Sequence, residues 1–287
     1  MVFLGFLGYA LRDAWREALP LLRHADFTDL ALACAFLAVY YLLFVIGWIW
    51  ILSALGIRVT YRVALQAEMV SMLAKYIPGL IWTPAARVVA LRRHRITATP
   101  VVLASIALEA GLSAIAGVLV FVVSLSTVED VDAPLAPLLA FAVVVTVLLH
   151  PRVFQPLARH VLKPFGASEL PPLRYATLLG LLGYYALTWV FGGIAILFML
   201  RSVGGDVPFS DVPYLGGVGA VGAIVAVVSV FAPSGLGVRE ASMYGLLLAV
   251  TTGGIALAAT VINRLAITLV EAGLLLGGGL AGAFKKP

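Results

Sequence analysis

Charged side chains are scarce in this sequence. Asp, Glu, Lys and Arg make up 11% of its 287 residues, whereas in soluble domains they account for about 25%. Hydrophobic residues form 62% of the chain, and the mean hydropathy is +1.08. Because a folded monomer cannot hide this much apolar surface from water, the composition excludes a soluble globular protein. It predicts an all-α polytopic membrane protein.

Residues that carry metal, thiol or nucleophile chemistry are also few. There is one cysteine, Cys34, the four histidines are scattered, and no His-Glu-x-x-His or phosphate-loop pattern occurs. The segment 232–235 is similar to the Gly-x-Ser-Gly of intramembrane serine proteases, but its first glycine is missing and no histidine follows Ser234. We therefore expect no enzyme activity, no catalytic residue, no metal and no cofactor.

Several apolar runs are long enough to cross a bilayer, which takes about 20 residues of helix. Two further runs are interrupted by proline and glycine: 63–82 contains Pro78, and 214–231 ends just before Pro233. Unpaired backbone groups are costly in hydrocarbon, so we predict broken or re-entrant helices at both places. The basic, proline-rich segment 150–174 predicts a loop or linker. The four uninterrupted runs are 30–55, 100–127, 173–200 and 255–283.

The two halves of the chain are related by a shift of 155 positions, which places Pro78 on Pro233 and Glu109 on Arg264. A competing match, of Glu109 and the three residues after it with Glu271 and its successors, requires a shift of 162. Paired breaks in two halves are typical of transporters. We therefore interpret the first match as two inverted structural repeats.

These repeats define the expected organisation of the chain. An amphipathic segment at 1–28 precedes a single transmembrane domain at 29–283. We expect the segment to lie in the membrane interface. The alternative is that it is a poorly ordered terminus. Within the domain, repeat one covers about 29–127, a connector about 128–172, and repeat two about 173–283.

The basic residues indicate how the chain is oriented. Lys and Arg outnumber Asp and Glu by 19 to 14 and cluster in short loops, which indicates contact with lipid headgroups rather than nucleic acid. If 63–82 is a re-entrant hairpin that enters from the cytoplasm, the basic loops are cytoplasmic and the amino terminus lies outside. If 63–82 spans fully, the amino terminus lies inside. In both cases we expect an integral protein of the cytoplasmic (inner) membrane.

The first interruption combines a helix break with polar and aromatic side chains. Pro78 ends the preceding helix and Gly79 permits the turn that follows. The freed helix ends direct their dipoles into the membrane, where an anionic phosphate could dock beside Lys75. The alternative is an interfacial loop in which Lys75 extends outward and Tyr76 and Trp82 belong to an aromatic belt.

The second interruption is a turn followed by a charged helix start. Arg239 suits a phosphate because its planar guanidinium offers paired hydrogen bonds. The alternative is an ordinary loop with a self-neutralising Arg239–Glu240 pair. The small residues at this turn include Pro233, Ser234, Gly235 and Gly237.

Ionisable residues within the apolar runs are expensive in lipid and mark functional or paired sites. They are Glu68, Glu109, Arg264 and Glu271. We predict that Glu109 and Arg264 meet across the two repeats; the alternative is that these residues form structural pairs which only hold helices together. The cluster 87–95 is expected to anchor headgroups, with Arg87 as the exception that reaches the site.

Together these motifs resemble the lysylphosphatidylglycerol synthase transmembrane family, the flippase-like membrane region of the bacterial multiple peptide resistance factor. The resemblance rests on 233–240, on 75–79 with Arg87, and on 263–264, and it covers about residues 30–280. Two features depart from the family pattern: Ser234 stands where glycine is common, and 82–84 replaces a glycine-rich continuation.

The resemblance implies a lipid translocase that moves an anionic or aminoacylated phospholipid, or a polyprenyl-phosphate-linked headgroup, between leaflets. The alternative is a non-transporting scaffold or accessory subunit for a lipid-modifying transferase. Membrane lipids are the expected partners, and the oligomeric state is left open. Some relatives carry a cytosolic domain at the amino end, which argues against an external amino terminus. The expected substrate-binding residues are Lys75, Tyr76, Pro78, Gly79, Trp82, Arg87, Glu109, Pro233, Ser234, Gly235, Gly237, Arg239, Glu240, Arg264 and Glu271.

Overall fold

The computed structural model describes residues 12–75, 77, 81–126, 128, 135–165, 171, 173–229 and 235–279. Throughout these ranges the regular structure is helical and contains no strand, which confirms the expected all-α fold. The helices are α1 (Arg12–Arg23), α2 (Phe27–Ala54), α3 (Tyr61–Ala74), α4 (Trp82–Arg93), α5 (Thr99–Ser124), α6 (Leu135–Leu149), α7 (Pro151–Leu162), α8 (Tyr175–Ser202), α9 (Val212–Val228), α10 (Val238–Leu247) and α11 (Gly253–Leu274).

Five helices are long and apolar enough to cross a membrane. Three of them are α2, α5 and α8; the other two are Phe209–Val228, which contains α9, and Gly253–Gly277, which contains α11. Helices α6 and α7 meet at a bend of 75° and would form a sixth crossing if they are one span. The chain is therefore an integral membrane protein.

The segment 150–174 differs from its prediction as a loop, because α7 occupies most of its first half. Pro151 stands at the start of α7, where a proline costs no backbone hydrogen bond and its fixed φ suits a helix. The His150 imidazole caps this helix start by accepting from the backbone N–H of Arg152. Proline content alone was therefore a poor guide to a loop here.

Asp26 fixes the start of α2, which at 28 residues is as long as α8. Its carboxylate accepts from the backbone N–H groups of Thr28 and Asp29, at 2.7 and 3.0 Å, and so caps α2. The N–H groups of Asp29 and Thr28 hold the pKa of Asp26 below its usual value. Asp26 therefore marks where α2 begins, just before the apolar run at 30–55.

Helix α8 is the centre of the bundle and packs against α2, α5, α9 and α11. Its contact with α9 is backbone to backbone: a Cβ on Gly216 would lie 2.4 Å from the carbonyl oxygen of Trp189, and one on Gly193 would lie 2.2 Å from the carbonyl oxygen of Val212. A similar close approach joins α5 to α9, at Gly117 and Ala220. The glycine-rich sequence of α9 therefore serves close helix packing.

Both halves of the chain have the same order of elements. In the first half the long helices α2 and α5 flank the short helices α3 and α4, and in the second half α8 and α11 flank α9 and α10. The two flanked helices pack against each other in each half, and α9 differs from α3 in lying within a segment long enough to cross a membrane. At 14 residues, α3 reaches about 21 Å, which is less than the thickness of a bilayer core. The breaks at Pro78 and Pro233 themselves lie outside the described residues.

The amino-terminal helix α1 packs along α11. Ala18 is fully buried in this contact, and a Cβ on Gly254 would lie 2.7 Å from the Cβ of Glu17. The described part of segment 1–28 is thus helical and attached to the bundle. Its position in the membrane interface stays a prediction.

Candidate functional site

A cavity of about 430 Å³ lies among the membrane helices. Helices α2, α3, α5, α6, α8, α9, α10 and α11 all contribute to its wall, together with Arg87 from α4. Most of the wall is apolar, so the charged groups in it stand out. Three are acidic and three are basic: Glu68, Glu109, Glu271, Lys75, Arg87 and Arg239.

Arg87 is the centre of a buried group of charges that we call the Arg87 cluster: Arg87, Glu68 and Glu109. The guanidinium forms ion pairs with both carboxylates, which come from α3 and α5. Its Nε also donates to the Ser71 hydroxyl at 3.3 Å, and its Cζ lies 4.6 Å from the ring centroid of Trp48. The cluster therefore links α2, α3, α4 and α5 through one side chain.

Burial makes this cluster costly to assemble. The exposed fractions are 6% for Arg87, 2% for Glu68 and 5% for Glu109. Charged groups this far from water are stable only when they are paired and hydrogen-bonded. Here two carboxylates share one guanidinium, so the cluster carries one more negative than positive group.

A second charged group joins the two halves of the chain. Lys75, at the end of α3, forms an ion pair with Glu271 of α11. The same carboxylate oxygen accepts from the Tyr41 hydroxyl of α2 at 2.7 Å. Both the lysine and the tyrosine thus satisfy a carboxylate that would otherwise be isolated in the membrane.

The start of α10 holds the third charged group. Gly237 has φ +82°, a conformation that favours glycine, and its N–H donates to the Glu240 carboxylate at 2.7 Å. Glu240 also lies 3.5 Å from the guanidinium of Arg264 on α11. Glu240 is therefore occupied in capping α10 and in pairing with Arg264.

Three charged side chains of the cavity wall carry buried polar atoms without a hydrogen-bond partner among the described residues: Nε of Arg239, Oε1 of Glu109 and Oε2 of Glu68. The Glu68 oxygen is the one that forms the ion pair with Arg87. The Tyr185 hydroxyl is a fourth such atom in the same part of the bundle. Since buried polar atoms in folded proteins nearly always have a partner, these atoms indicate where a polar ligand or water would bind.

The predicted site residues that the structure describes fall into three groups: residues away from the cavity, a pair beside it, and residues that line it. Trp82 is exposed at the start of α4, and Gly235 and Gly237 form the turn before α10. Glu240 and Arg264 pair beside the cavity but do not line it. Tyr76, Pro78, Gly79, Pro233 and Ser234 lie outside the described residues. The five that line the cavity are Lys75, Arg87, Glu109, Arg239 and Glu271.

The predicted meeting of Glu109 and Arg264 is replaced by two other pairs. Glu109 pairs with Arg87, because α5 packs against α4, and Arg264 pairs with Glu240, because α11 packs against α10. The alternative, structural pairing between helices, describes Arg264 better than a role in the cavity does.

The predicted set lacks several residues that line the cavity. Glu68 is one of the ionisable residues within the apolar runs, yet the predicted substrate-binding set does not contain it. Tyr40 and Tyr41 carried a usable signal, because a tyrosine in the middle of a membrane helix needs a partner for its hydroxyl. Trp189 and Asn263 also line the cavity, and Trp189 donates to the carbonyl oxygen of Ser113 at 2.9 Å.

Comparison with known sequences agrees with the resemblance found in the motifs. No curated protein matches the chain. The family described as the lysylphosphatidylglycerol synthase TM region matches residues 1–274, which is nearly the whole sequence. The match includes every residue of the Arg87 cluster and every residue that lines the cavity. The chain therefore belongs to the lysylphosphatidylglycerol synthase TM region family.

Proposed function

We propose that this protein is a lipid translocase of the cytoplasmic membrane. It moves the phosphate-bearing headgroup of a phospholipid or polyprenyl-phosphate lipid between leaflets without changing the lipid chemically. The observation that carries the proposal is the buried, unpartnered Nε of Arg239 in the wall of a cavity among membrane helices. Family membership supports the link to membrane lipids.

The size and lining of the cavity suit a headgroup rather than a whole lipid. Ligand pockets typically enclose about 300–1,000 Å³, and a cavity of about 430 Å³ lies in the lower part of this range. The acyl chains would stay in the bilayer while the headgroup occupies the cavity. The apolar part of the wall excludes water and so strengthens each charge–charge contact inside.

The three cations of the cavity wall differ in whether they are already paired with a carboxylate. Arg239 offers a planar guanidinium, whose geometry matches phosphate oxygens, and its Nε has no competing partner in the described part of the chain. Lys75 is tied to Glu271, and Arg87 is tied to two carboxylates. Arg239 is therefore the cation best placed to accept an incoming anion.

We include two inverted repeats in the proposal. The order of elements supports them, because in each half two mutually packed helices, α3–α4 and α9–α10, stand between two long ones. In this arrangement each of these pairs is a broken or re-entrant segment, and its polar end faces the cavity from one half of the chain. Arg87 and Arg239 would then be contributed by equivalent pairs.

Lipid exchange in liposomes tests the proposal. The purified protein is reconstituted with fluorescent phospholipids or polyprenyl-phosphate lipids, and leaflet exchange is followed by dithionite quenching. We expect exchange of one lipid class, with the lipid recovered chemically unchanged. In Arg239→Ala we expect the rate to fall to that of protein-free liposomes.

Arg152→Ala is the matched control, because this arginine is exposed on α7, away from the cavity wall. It should keep the wild-type rate. Wild-type exchange in Arg239→Ala would contradict the assignment of the site. Folded wild-type protein that exchanges no lipid class would contradict the translocase and favour the scaffold.

A further inference from the structure

We propose that the Arg87 cluster is a proton-binding site that takes up one proton when a phosphate headgroup binds at Arg239. Lipid and proton would then occupy the protein together. The inference rests on the proposed function for its ligand, the headgroup. The proton site itself is built from the three side chains of the Arg87 cluster, which line the cavity.

The first step is the charge balance of the empty cavity. Its wall contains three carboxylates and three cations, so the wall is neutral when all six groups are ionised. The positive and negative charges of the wall are not all paired with each other. Lys75 and Glu271 neutralise each other, the Arg87 cluster has one negative group in excess, and Arg239 has the matching positive charge.

The second step is what an anionic headgroup does to this balance. A phosphate bound at Arg239 uses up the only positive charge that offsets the Arg87 cluster within the described wall. The two carboxylates on Arg87 are then left with one uncompensated negative charge in a buried site. Because an unpaired buried charge is strongly disfavoured, protonation of one carboxylate restores neutrality.

The third step identifies the oxygen that receives the proton. Glu109 uses Oε2 to pair with Arg87, while its Oε1 is buried without a hydrogen-bond partner in the described residues and belongs to the cavity wall. A proton from the aqueous side therefore converts the Glu109 carboxylate to a carboxylic acid at Oε1. No bond in the lipid forms or breaks, and the proton returns to water when the headgroup leaves.

Among the described residues, Glu68 is the other carboxylate beside Glu109, and its unpartnered Oε2 is the oxygen that already pairs with Arg87. Arg87 of α4 faces Glu109, and across Arg87 lies Glu68 of α3. Helix α8 contributes the Tyr185 hydroxyl and α2 contributes Tyr40, and both interact electrostatically with Glu109. Helix α6 carries no ionisable side chain, and the only one on α9 is Tyr214, whose hydroxyl is bound to the carbonyl oxygen of Leu246.

The test measures lipid binding and proton uptake separately. Wild-type protein in detergent and weak buffer near neutral pH is titrated with phosphatidylglycerol; bound lipid is counted by native mass spectrometry, and protons by a pH indicator. We expect one proton taken up per lipid bound. Diacylglycerol, which lacks the phosphate, should cause no uptake.

Variants locate the proton. In Glu109→Gln the phosphatidylglycerol that binds should bring no proton uptake, because an amide cannot be protonated in this range. Asp206→Asn makes the same change at an exposed carboxylate and should behave as wild type. Thermal unfolding shows whether each variant is folded, and the wild-type titration alone decides the main point.

The outcomes separate the two proposals. Phosphatidylglycerol that binds wild-type protein without proton uptake overturns the proton site and leaves the translocase intact. Uptake that persists in folded Glu109→Gln overturns the assignment to Glu109. Failure of the wild-type protein to bind any phosphate-bearing lipid, phosphatidylglycerol or polyprenyl phosphate, overturns the proposed function and with it this inference.

Discussion

Replacing Arg87 with methionine should destabilise the protein more than any other single loss of charge. The side chain forms two buried ion pairs and a hydrogen bond to Ser71, and it lies against the Trp48 ring. Without it, Glu68 and Glu109 would face each other without a cation. Breaking a buried ion pair by removing one partner costs about 3–5 kcal/mol, and we expect a loss of that order in the free energy of unfolding.

The measurement is a titration of the protein from mild detergent into sodium dodecyl sulfate, followed by far-ultraviolet circular dichroism. Arg152→Met serves as the control, since an exposed arginine contributes about 0–1 kcal/mol. Adding Glu68→Gln and Glu109→Gln to Arg87→Met should recover much of the loss, because the amides leave no buried charge. If Arg87→Met costs no more than Arg152→Met, the Arg87 cluster is not the buried ionic centre described here.

Two further predictions concern single groups. Gly237→Ala forces a non-glycine residue to keep φ +82°, so it should lower the free energy of unfolding by roughly 1–2 kcal/mol in the same titration. Gly245→Ala within α10 is the control and should not destabilise the protein, because a Cβ would meet no other atom at either position. Equal effects of the two substitutions would contradict the positive φ of Gly237 in the turn before α10. Tyr41→Phe removes the hydroxyl that donates to Glu271 and should lower the free energy of unfolding by about 1.5–3 kcal/mol. Tyr175→Phe, at an exposed tyrosine, should lower it by less. Equal losses would show that the hydrogen bond from Tyr41 to Glu271 does not stabilise the fold.

The long helices could be predicted from the sequence because lipid imposes one requirement on them. An apolar run of sufficient length must be helical, and its ends are set by polar residues. The run at 30–55 corresponds to α2, which begins three residues earlier at the cap provided by Asp26. The run at 173–200 corresponds to α8 with a displacement of two residues.

The short helices were harder to predict, because their apolar pattern does not determine their length. The segment 150–174 shows the difficulty: its prolines and basic residues indicate a loop, yet α7 begins at Pro151 and continues through Pro156. A proline at the first position of a helix carries no penalty, so counting prolines misses this case.

The pairing of charges could be predicted only in part. Spacing along a helix shows which residues share a face, and burial in lipid shows that each ionisable residue needs a partner. Neither shows which neighbouring helix supplies that partner. The sequence therefore indicates that Glu109 needs a partner, but that partner, Arg87, follows from the packing of α4 on α5, which no local sequence pattern encodes.

The central claim is that Arg239 binds the phosphate of a lipid headgroup inside the cavity. A structure of the protein in lipid nanodiscs that contain phosphatidylglycerol or polyprenyl phosphate tests it most directly. The account predicts a phosphate oxygen within about 3 Å of the Arg239 guanidinium, with the acyl chains outside the cavity. A headgroup bound elsewhere, with Arg239 satisfied by another group of the protein, would contradict it.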